Sequence, residues 1–342
     1  MWAWTCIRED DQLLRAAGGW KACARGVRSS EPRGRERMAS KSAEAVDGWD
    51  EATMFSSWLY DHVVSFGIPV KVAHPAMLKA IVAGKRKNDT VDARKIADLL
   101  RCDYFPECHM VCRELRNRRR VLRYRNLLVR QTVQMRNRVS AMMMETGVQY
   151  NKKKLHQRRY FQELVGGLKA EMPEQVPELL GLSHRSIEFL RGMDQHLIQT
   201  LRCGPVIRER VERLITIPGV GPIVALTWVL EVGEINRFSS IKKAISYCGL
   251  CGAEVSSAGK QQRTPISKQR NKHLQCVLVE AAKLAPRFHP ELALLYEREK
   301  QKSNRNRATL AVARKFVSYL FAVDRARRAF KERVHGPQQK RG

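Results

Sequence analysis

Acidic residues are scarce in this chain. Only 34 of its 342 residues are Asp or Glu, against 63 Lys or Arg, so its formal net charge at pH 7 is +29. A surplus of this size attracts phosphate groups over long distances and is typical of proteins that bind polyanions. We therefore expect nucleic acid to be the main partner.

Long apolar runs are absent as well. No segment approaches the ~18–20 apolar residues of a membrane-spanning helix, and no basic helix with a Leu- and Trp-rich face marks a surface anchor. The first residues, Met1 to Arg8, become charged too soon for a secretory signal. The sequence therefore predicts a soluble protein with no membrane partner.

The cysteines lack a regular pairing pattern. There are nine of them, an odd and scattered set that is typical of reduced thiols. Cys248 and Cys251 have C-x-x-C spacing, but no second pair lies at zinc-ribbon distance and the βαβ context of a redox motif is missing. The 44% hydrophobic content is enough for two or three globular domains.

Periodicity divides the chain into domains. Residues 1–48 show no sustained period of 2 or 3.6 and are predicted to be an atypical, disordered leader. Residues 49–108 follow with helical spacing up to Gly67, a strand over Ile68–Ala73 and a further helix opening at Pro75. This order of elements predicts an α/β unit.

Two carboxylates lie close together in that unit. Asp89 and Asp92 are three residues apart in a basic helix, so they share one face. Carboxylate oxygens suit Mg²⁺ or Mn²⁺, and nearby cations can hold a phosphodiester against the metal. The alternative is a solvated, salt-bridged helix start, where an anion is favoured. The surrounding cations are Lys85, Arg86, Lys87, Arg94 and Lys95.

A long basic segment follows. Between Arg113 and Met144 the chain carries ten arginines and one acid at near-helical apolar spacing. Pro173 and Pro177 are expected to interrupt a second helical region, and Ile187 to Leu201 can pair antiparallel with the first helix. Residues 109–212 are therefore interpreted as a coiled-coil arm that mediates self-association. The alternative is an ordinary helical hairpin within one monomer.

A glycine-rich loop runs from Ile217 to Pro222 and resembles a helix-hairpin-helix turn. Gly219 and Gly221 permit a tight loop whose backbone N–H groups can contact phosphate without reading sequence. The loop can also be a simple helix connector. A DNA-repair protein built on this loop would need catalytic residues beside it, and the neighbouring residues are apolar.

Ser256 and Ser257 lie among small residues. A serine nucleophile needs an accessible oxygen, a route for its proton and positive charge around the developing phosphorane. The alternative is a Ser/Gly hairpin turn between solvated basic strands. Amphipathic helices then complete a domain of residues 213–333, ahead of a basic tail at 334–342. The cations near the serines are Lys260, Arg263, Lys268, Arg270 and Lys272.

Taken in order, several motifs resemble the DEDD insertion-sequence transposases, the IS-one-ten family described as bridge-RNA-guided recombinases. The resemblance covers residues 51 to about 333. The motifs are Glu51-Ala-Thr, Trp58-Leu-Tyr-Asp61, Val72-Ala-His-Pro75, Lys85 to Arg94, Ile217 to Pro222, Tyr247-Cys-Gly-Leu, Ser257-Ala-Gly-Lys, Pro265 to Asn271, and Arg307 to Arg314.

The resemblance implies an α/β plus α fold: a truncated RuvC-like (RNase H-type) unit, the coiled-coil arm, and a mostly helical C-terminal transposase domain with a small β-hairpin. Four carboxylates in the order Asp, Glu, Asp, Asp would hold Mg²⁺ or Mn²⁺. Glu51 takes the second place, Asp89 and Asp92 the third and fourth, and Ser257 that of the nucleophile, with Ser256 as the alternative.

The implied function is DNA strand cleavage and rejoining in transposition. The implied partners are DNA, a guide RNA and a second copy of the chain, in the nucleoid-associated cytoplasm of a bacterium. The expected nucleic-acid contacts are Lys85, Arg86, Lys87, Arg94, Gly219, Gly221, Lys260, Lys268 and Arg270.

The first aspartate of the family pattern is missing from this sequence. Residues 1–48 contain no strand with an Asp between apolar residues, and Asp10, Asp11 and Asp47 stand in the wrong context. The stretch leading into Glu51 is also too polar for a buried strand. The alternative function is therefore a catalytically inactive, nucleic-acid-binding remnant of such a transposase.

Overall fold

The chain folds into two compact units, one ending at Arg113 and the other starting at Glu114. The computed structural model describes the backbone of residues 5–7, 47–51, 56–74, 77–78, 89–167, 173, 175–257, 260–266 and 270–331. Helices dominate both units, with one small sheet in each. None of the helices within these ranges is both long and apolar enough to cross a membrane.

The described residues of the first unit form a three-stranded sheet. Its strands are β1 (Thr5–Ile7), β2 (Asp47–Glu51) and β3 (Val70–Ala73), in that spatial order. β1 is antiparallel to β2, whereas β3 is parallel to it, with Glu51 opposite Ala73. Helix α1 (Ser56–Val64) connects β2 to β3. The predicted helix and strand after residue 49 are therefore confirmed as a βαβ unit.

β2 forms despite its polar sequence. Pairing on both sides explains the strand, because backbone groups make the hydrogen bonds of a sheet whatever the side chains. The expectation that this stretch is too polar for a buried strand stays a prediction, because its side chains lie outside the described ones. β1 lies within the predicted leader, whose remaining residues up to 46 fall outside the described ones. Of the helix expected from Pro75, Met77 and Leu78 are helical and the rest lies outside the description.

A small apolar core supports this sheet. Ala73, Leu78 and Ile96 are buried together. Ile96 comes from α2 (Asp89–Arg101), the helix that carries the predicted carboxylate pair. Gly67 adopts a φ of +75° just after α1, a backbone conformation that favours glycine, which confirms the predicted end of that helix.

The second unit begins with a helical arm made of α3 (Arg113–Glu145), α4 (Arg158–Gly167) and α5 (Gln175–Arg202). α3 and α5 run antiparallel, since Arg118 near the start of α3 bonds the Leu201 carbonyl and Arg125 pairs with Asp194. The predicted antiparallel pair is therefore confirmed within one chain. Self-association through the arm stays a prediction.

The far end of the arm has its own core of six buried residues. His184 stacks on Phe161 with ring centroids 4.2 Å apart. Pro177 does not interrupt the helix as expected, because it lies in the first turn of α5, where a missing N–H costs no helical hydrogen bond. The buried residues are Val139, Met143, Leu155, Phe161, Leu180 and Ile187.

The rest of the second unit is a helical bundle around the fully buried Trp228 and Phe316. A two-stranded hairpin, β4 (Gly252–Ser257) and β5 (Lys260–Ile266), projects from it. The amphipathic helices predicted after residue 274 are confirmed. The helices are α6 (Pro205–Ile215), α7 (Pro222–Val232), α8 (Ile241–Tyr247), α9 (Lys272–Leu284), α10 (Pro290–Lys302) and α11 (Arg305–Ala326).

A buried aspartate joins three of these helices. Asp324 of α11 accepts two hydrogen bonds from the guanidinium of Arg210, at 2.6 and 2.5 Å, and a third from the indole N–H of Trp228 at 2.8 Å. Its side chain is only 2% exposed. Such a charge is tolerated in an apolar core because every acceptor is matched by a donor.

We predict that Asp324→Ala lowers the free energy of unfolding by about 3–5 kcal/mol, because it leaves the Arg210 charge and the Trp228 N–H without their acceptor. Urea denaturation followed by tryptophan fluorescence measures the change. Glu212→Ala, which breaks an exposed pair with Arg208, is the control and should cost under about 0.5 kcal/mol. Equal midpoints for the two variants would contradict the prediction.

Candidate functional site

The predicted acidic residues lie at the ends of elements in the first unit. Glu51 is the last residue of β2, at the carboxyl end of the parallel β2–β3 pair. Asp89 is the first residue of α2, and Asp92 follows in its first turn, half-buried, on the same face. The carboxyl edge of parallel strands is where α/β folds place ligands.

The side chains of Glu51 and Asp89 lie outside the described ones, so their carboxylates stay predicted ligands. Among the side chains that the structure does describe, no group of three or more His, Cys, Asp or Glu is positioned to hold a metal. Arg94 of α2 is exposed, as a phosphate contact must be. Lys85, Arg86 and Lys87 lie outside the described residues.

The glycine loop joins α6 to α7, as its sequence predicts. Gly219 has a φ of +85°, and a side-chain carbon added there would lie 3.1 Å from the Phe316 ring. Gly221 is the extended N-cap of α7, and Pro222 opens the helix. Within the described residues, the amides of Gly219 and Gly221 make no backbone hydrogen bond. The loop therefore has N–H groups available to bind an anion.

We predict that Gly219→Ala destabilises the second unit by about 1–2 kcal/mol, because an L side chain disfavours a positive φ. Gly221→Ala is the matched control. It has an ordinary φ of −86° and no atom within 4 Å of the added carbon, so its thermal midpoint should equal that of the parent. Similar midpoint losses in both variants would show that the loop conformation does not depend on Gly219.

The two serines lie near the tip of the β4–β5 hairpin. Ser257 is the last residue of β4 and pairs with Lys260, leaving a two-residue connection between the strands. Ser256 pairs with Gln261, one step further back. The backbone register thus places Ser257 at the turn, where it was expected, while the side chains of both serines lie outside the described ones.

The base of this hairpin is tied to the bundle. Gln275 Nε2 donates to the Gly249 carbonyl at 2.5 Å and Arg314 Nε to the Leu250 carbonyl at 2.8 Å. Gly249 has a φ of +71°, and the Arg270 side chain occupies the space where a Cβ would stand. Arg270, a predicted phosphate contact, is exposed yet packs here. Lys268 lies outside the described residues.

Glu231 is a buried, paired acid that the sequence analysis missed. It sits in the last turn of α7 and is fully buried. Arg123 of α3 donates to both of its carboxylate oxygens, at 2.8 and 2.9 Å, and Asn271 Nδ2 donates to Oε2 at 2.8 Å. Arg119 lies 3.7 Å from the same oxygen. One charge therefore links the arm to the segment that follows the hairpin.

The same cluster also caps the C-terminal end of α7. The carbonyl of Leu230 accepts from Arg119 Nε at 2.8 Å, and that of Glu231 accepts from the Tyr247 hydroxyl at 2.9 Å. Arg237 Nε donates to the Val232 carbonyl at 3.0 Å. These donors replace the helical partners that the last carbonyls of a helix lack, and the positive charges of Arg119 and Arg237 interact favourably with the negative end of the helix dipole.

The protonation of the cluster follows from these contacts. Burial alone would raise the pKa of the Glu231 carboxyl, but hydrogen bonds from Arg123 and Asn271 and the charges of both arginines outweigh it, so that pKa is lowered. The hydrogen bond to Glu231 raises the pKa of Arg123. A carboxyl group whose pKa is lower in the folded than in the unfolded chain stabilises the fold at every pH above its unfolded pKa. The stabilisation from Glu231 is therefore lost only as the pH falls through the acidic range towards the folded pKa.

The arginines of α3 differ in their contacts. Arg118, Arg119, Arg123 and Arg125 bond to groups on other helices, although the Arg123 side chain remains 47% exposed. Arg120, Arg130 and Arg138 are exposed, and Arg130 also donates to the Asn126 carbonyl one turn back. Some arginines of this helix therefore have a structural role, which leaves the net charge of the chain unchanged.

The C-x-x-C pair gives no sign of reactive thiols. Cys248 is fully buried at the end of α8, and burial raises the pKa of its thiol to about 12. A thiolate, the form that binds metal or attacks a disulfide, is therefore strongly disfavoured there at neutral pH.

Comparisons with known proteins bear on both units. A family model described as "Transposase", of the DEDD type named for IS110, matches residues 35–147. A second model, described as "Transposase IS116/IS110/IS902 family", matches residues 211–297. Together they cover more than half of the chain. The first contains the three carboxylates, and the second contains the glycine loop, Glu231 and the hairpin.

Curated relatives agree with these models. The chain is 26% identical over 226 residues to a transposase for insertion sequence element IS1328 from Yersinia enterocolitica, covering 65% of this chain and 66% of the relative. It is 24% identical over 271 residues to a transposase for IS1111A from Coxiella burnetii, covering 77% and 73%. A pilin gene-inverting protein from Moraxella bovis is 27% identical over 151 residues, covering 43% and 47%. The chain belongs to the IS110 family of DEDD insertion-sequence transposases.

Proposed function

We propose that the chain cuts and rejoins DNA strands during the movement of an insertion sequence, with Ser257 as the nucleophile. The observation that carries the proposal is the hairpin register, which sets Ser257 at the last strand position before a two-residue turn. A residue there can approach a bulky duplex, whereas a serine on the bundle surface would be shielded. A transposase family model matches the segment that contains this hairpin.

In this reaction the Ser257 oxygen would attack a backbone phosphorus and displace the deoxyribose oxygen on its other side. A serine–phosphate ester and a free DNA hydroxyl result, and the reverse attack by a second strand's hydroxyl releases the serine. Positive charge nearby stabilises the phosphorane on the way. Lys260, which pairs with Ser257 across the hairpin, is the cation closest to it in register.

The first unit would have a RuvC-like, RNase H-type fold and hold a divalent metal. Glu51, Asp89 and Asp92 are the residues that would bind it, as oxygen ligands suited to Mg²⁺ or Mn²⁺. When bound, the ion would polarise the scissile phosphate and favour loss of the serine proton. The placement of Glu51 at the carboxyl edge of the sheet and of both aspartates in one helical turn supports this assignment.

The proposed partners are DNA, a guide RNA and a second copy of the chain, in the nucleoid-associated cytoplasm of a bacterium. The exposed arginines of α3 and the free loop amides would contact phosphates, the latter as a helix-hairpin-helix loop does. The arm would carry the self-association as a coiled coil, since Leu179, Leu182 and Phe189 of α5 are exposed apolar residues.

We predict that Ser257→Ala abolishes the covalent protein–DNA adduct and leaves DNA affinity nearly unchanged, because phosphate charge dominates that affinity. The assay combines supercoiled plasmid containing the element's ends, guide RNA and Mg²⁺, with adduct scored on denaturing gels. Ser256→Ala is the matched control and should retain the adduct. If only Ser256→Ala loses the adduct, the nucleophile is Ser256 and not Ser257.

An inactive, nucleic-acid-binding remnant is the second candidate, and one observation favours it. Among the described strands ahead of Glu51, β1 contains no carboxylate, and the aspartates of β2 lie on the same strand as Glu51. If the chain is such a remnant, it forms little or no adduct by itself, and a Ser257-dependent adduct is recovered when an opening strand with an apolar-Asp-apolar pattern is supplied. Full activity of the unaltered chain would rule out the remnant.

Nucleic-acid binding itself should depend steeply on salt. We predict that the logarithm of the affinity for duplex DNA falls linearly with the logarithm of salt concentration, with a slope near roughly −0.9 per phosphate contact, because each contact releases counterions. Titrations by fluorescence anisotropy measure the slope. Arg120→Gln, at an exposed arginine, should reduce its magnitude by about one contact. A slope of zero would contradict the proposed partner.

A further inference from the structure

We propose that Glu231 is a positioning residue that couples the arm helix α3 to the hairpin carrying Ser257. The inference rests on the proposed function, because it concerns the same serine. Neither the sequence motifs nor the nucleophile's place in the hairpin requires such a link. It follows from a continuous series of hydrogen bonds that starts on α3 and ends where the chain enters and leaves the hairpin.

The two ends of the hairpin are bound to each other. Tyr247 ends the helix before β4, and Asn271 begins the helix after β5. The Asn271 backbone N–H donates to the Tyr247 carbonyl at 3.1 Å, and its side-chain Nδ2 lies 3.3 Å from the Tyr247 hydroxyl. Asn271 Oδ1 also accepts from the N–H groups of His273 and Leu274, which fixes the side chain as the N-cap of α9.

Glu231 connects this pair of ends to the arm. Its carboxylate accepts from Asn271 on one side and from Arg123 on the other, while its carbonyl accepts from the Tyr247 hydroxyl. Glu231 is fully buried, and the Arg123 side chain bound to it is 47% exposed, so the ion pair connects the interior to the surface of the arm. Charge-assisted bonds in such a site are short and directional. A displacement of α3 is therefore transmitted to both ends of the hairpin.

The hairpin amplifies that displacement. Five residue steps separate Gly252 from Ser257, about 17 Å of extended strand, so a tilt of roughly 5° at the base moves the tip by about 1.5 Å. A misplacement on the order of 1 Å can slow a positioned reaction by about 100-fold. A β-bulge between Gly252 and Glu254 faces Pro265, so the base of the hairpin already bends away from a regular ladder.

The arm can supply such a displacement, because α3 also carries the exposed Arg120, Arg130 and Arg138. A nucleic acid bound along these arginines would bear on the same helix whose Arg123 holds Glu231. Nucleic acid bound to the arm would then also orient the hairpin, so that Ser257 reaches its reactive position when the arm is occupied.

Hydrogen–deuterium exchange of the full chain, without nucleic acid, tests the coupling. Arg123→Met cuts the link on the arm side. Asn271→Ser cuts it on the hairpin side while keeping an oxygen that can cap α9. Arg125→Met is the matched control, since Arg125 lies two residues further along α3 and forms an equivalent pair with Asp194, at 2.5 Å.

We expect the hairpin amides at 252–257 and 260–266 to exchange roughly ten-fold faster in Arg123→Met and in Asn271→Ser, because each variant loses a buried charge-assisted bond. In Arg125→Met those amides should exchange within about two-fold of the parent rate even though its melting temperature falls. Arg123→Lys retains the charge without the two-point contact, so its rate should be intermediate.

Unchanged hairpin exchange in Arg123→Met, or equal acceleration in Arg125→Met, would overturn the proposal. If Arg123→Met fails to fold, Arg123→Lys and Asn271→Ser give the same decision. In the adduct assay the coupling predicts slower adduct formation by Arg123→Met at an unchanged half-saturating DNA concentration. Absence of adduct from every variant and from the parent supplied with the opening strand would refute the proposed function, and the exchange rates would still decide the coupling.

Discussion

The buried charge of Glu231 is the constraint on which the second unit depends. A carboxylate that is fully removed from water is costly unless it is paired and hydrogen-bonded, and its place at the C-terminal end of α7 adds the repulsion of the helix dipole. Arg123, Arg119 and Asn271 offset both costs. Since these partners come from α3 and the start of α9, the arm, α7 and the hairpin can satisfy this charge only in one mutual arrangement.

The same requirement gives some of the chain's arginines a structural role. The arginines nearest the bundle on α3 are bound to Glu231, Asp194 and backbone carbonyls. These bonds leave the net charge of +29 unchanged, because that figure already subtracts every acid. The same helix also presents the exposed Arg120, Arg130 and Arg138, so a single element both holds the fold together and offers positive charge to a polyanion.

Local patterns were enough to predict α1, α2, α3, α5 and the C-terminal helices, together with the β3 strand, the glycine loop and the hairpin turn. Helical spacing, Gly67 and Pro222 act within a few residues of the features they specify, so the sequence alone contains the information. Glu231 was out of reach by that route, because its partner Arg123 is 108 residues away in the chain. A lone acid at the end of the apolar run from Ile223 to Leu230 was the available signal.

β2 and Pro177 show two other limits of the sequence. β2 is polar, but it is the central strand, and its hydrogen bonds to β1 and β3 do not require apolar side chains. Pro177 was expected to break a helix, although a proline in the first turn removes no hydrogen bond. In both cases the hydrogen bonds that the backbone needs decided the secondary structure, whereas the expectation came from the type of side chain.

Ser257, the proposed nucleophile, lies at the tip of the hairpin, away from the base that the bundle holds. A nucleophile that attacks duplex DNA must project from the protein, and a two-stranded hairpin is only marginally stable by itself. Gln275 and Arg314 fix the chain before β4, while Asn271 fixes the chain after β5. The bundle thus supplies the rigidity that the hairpin lacks, as the proposed attack of Ser257 on the DNA backbone would require.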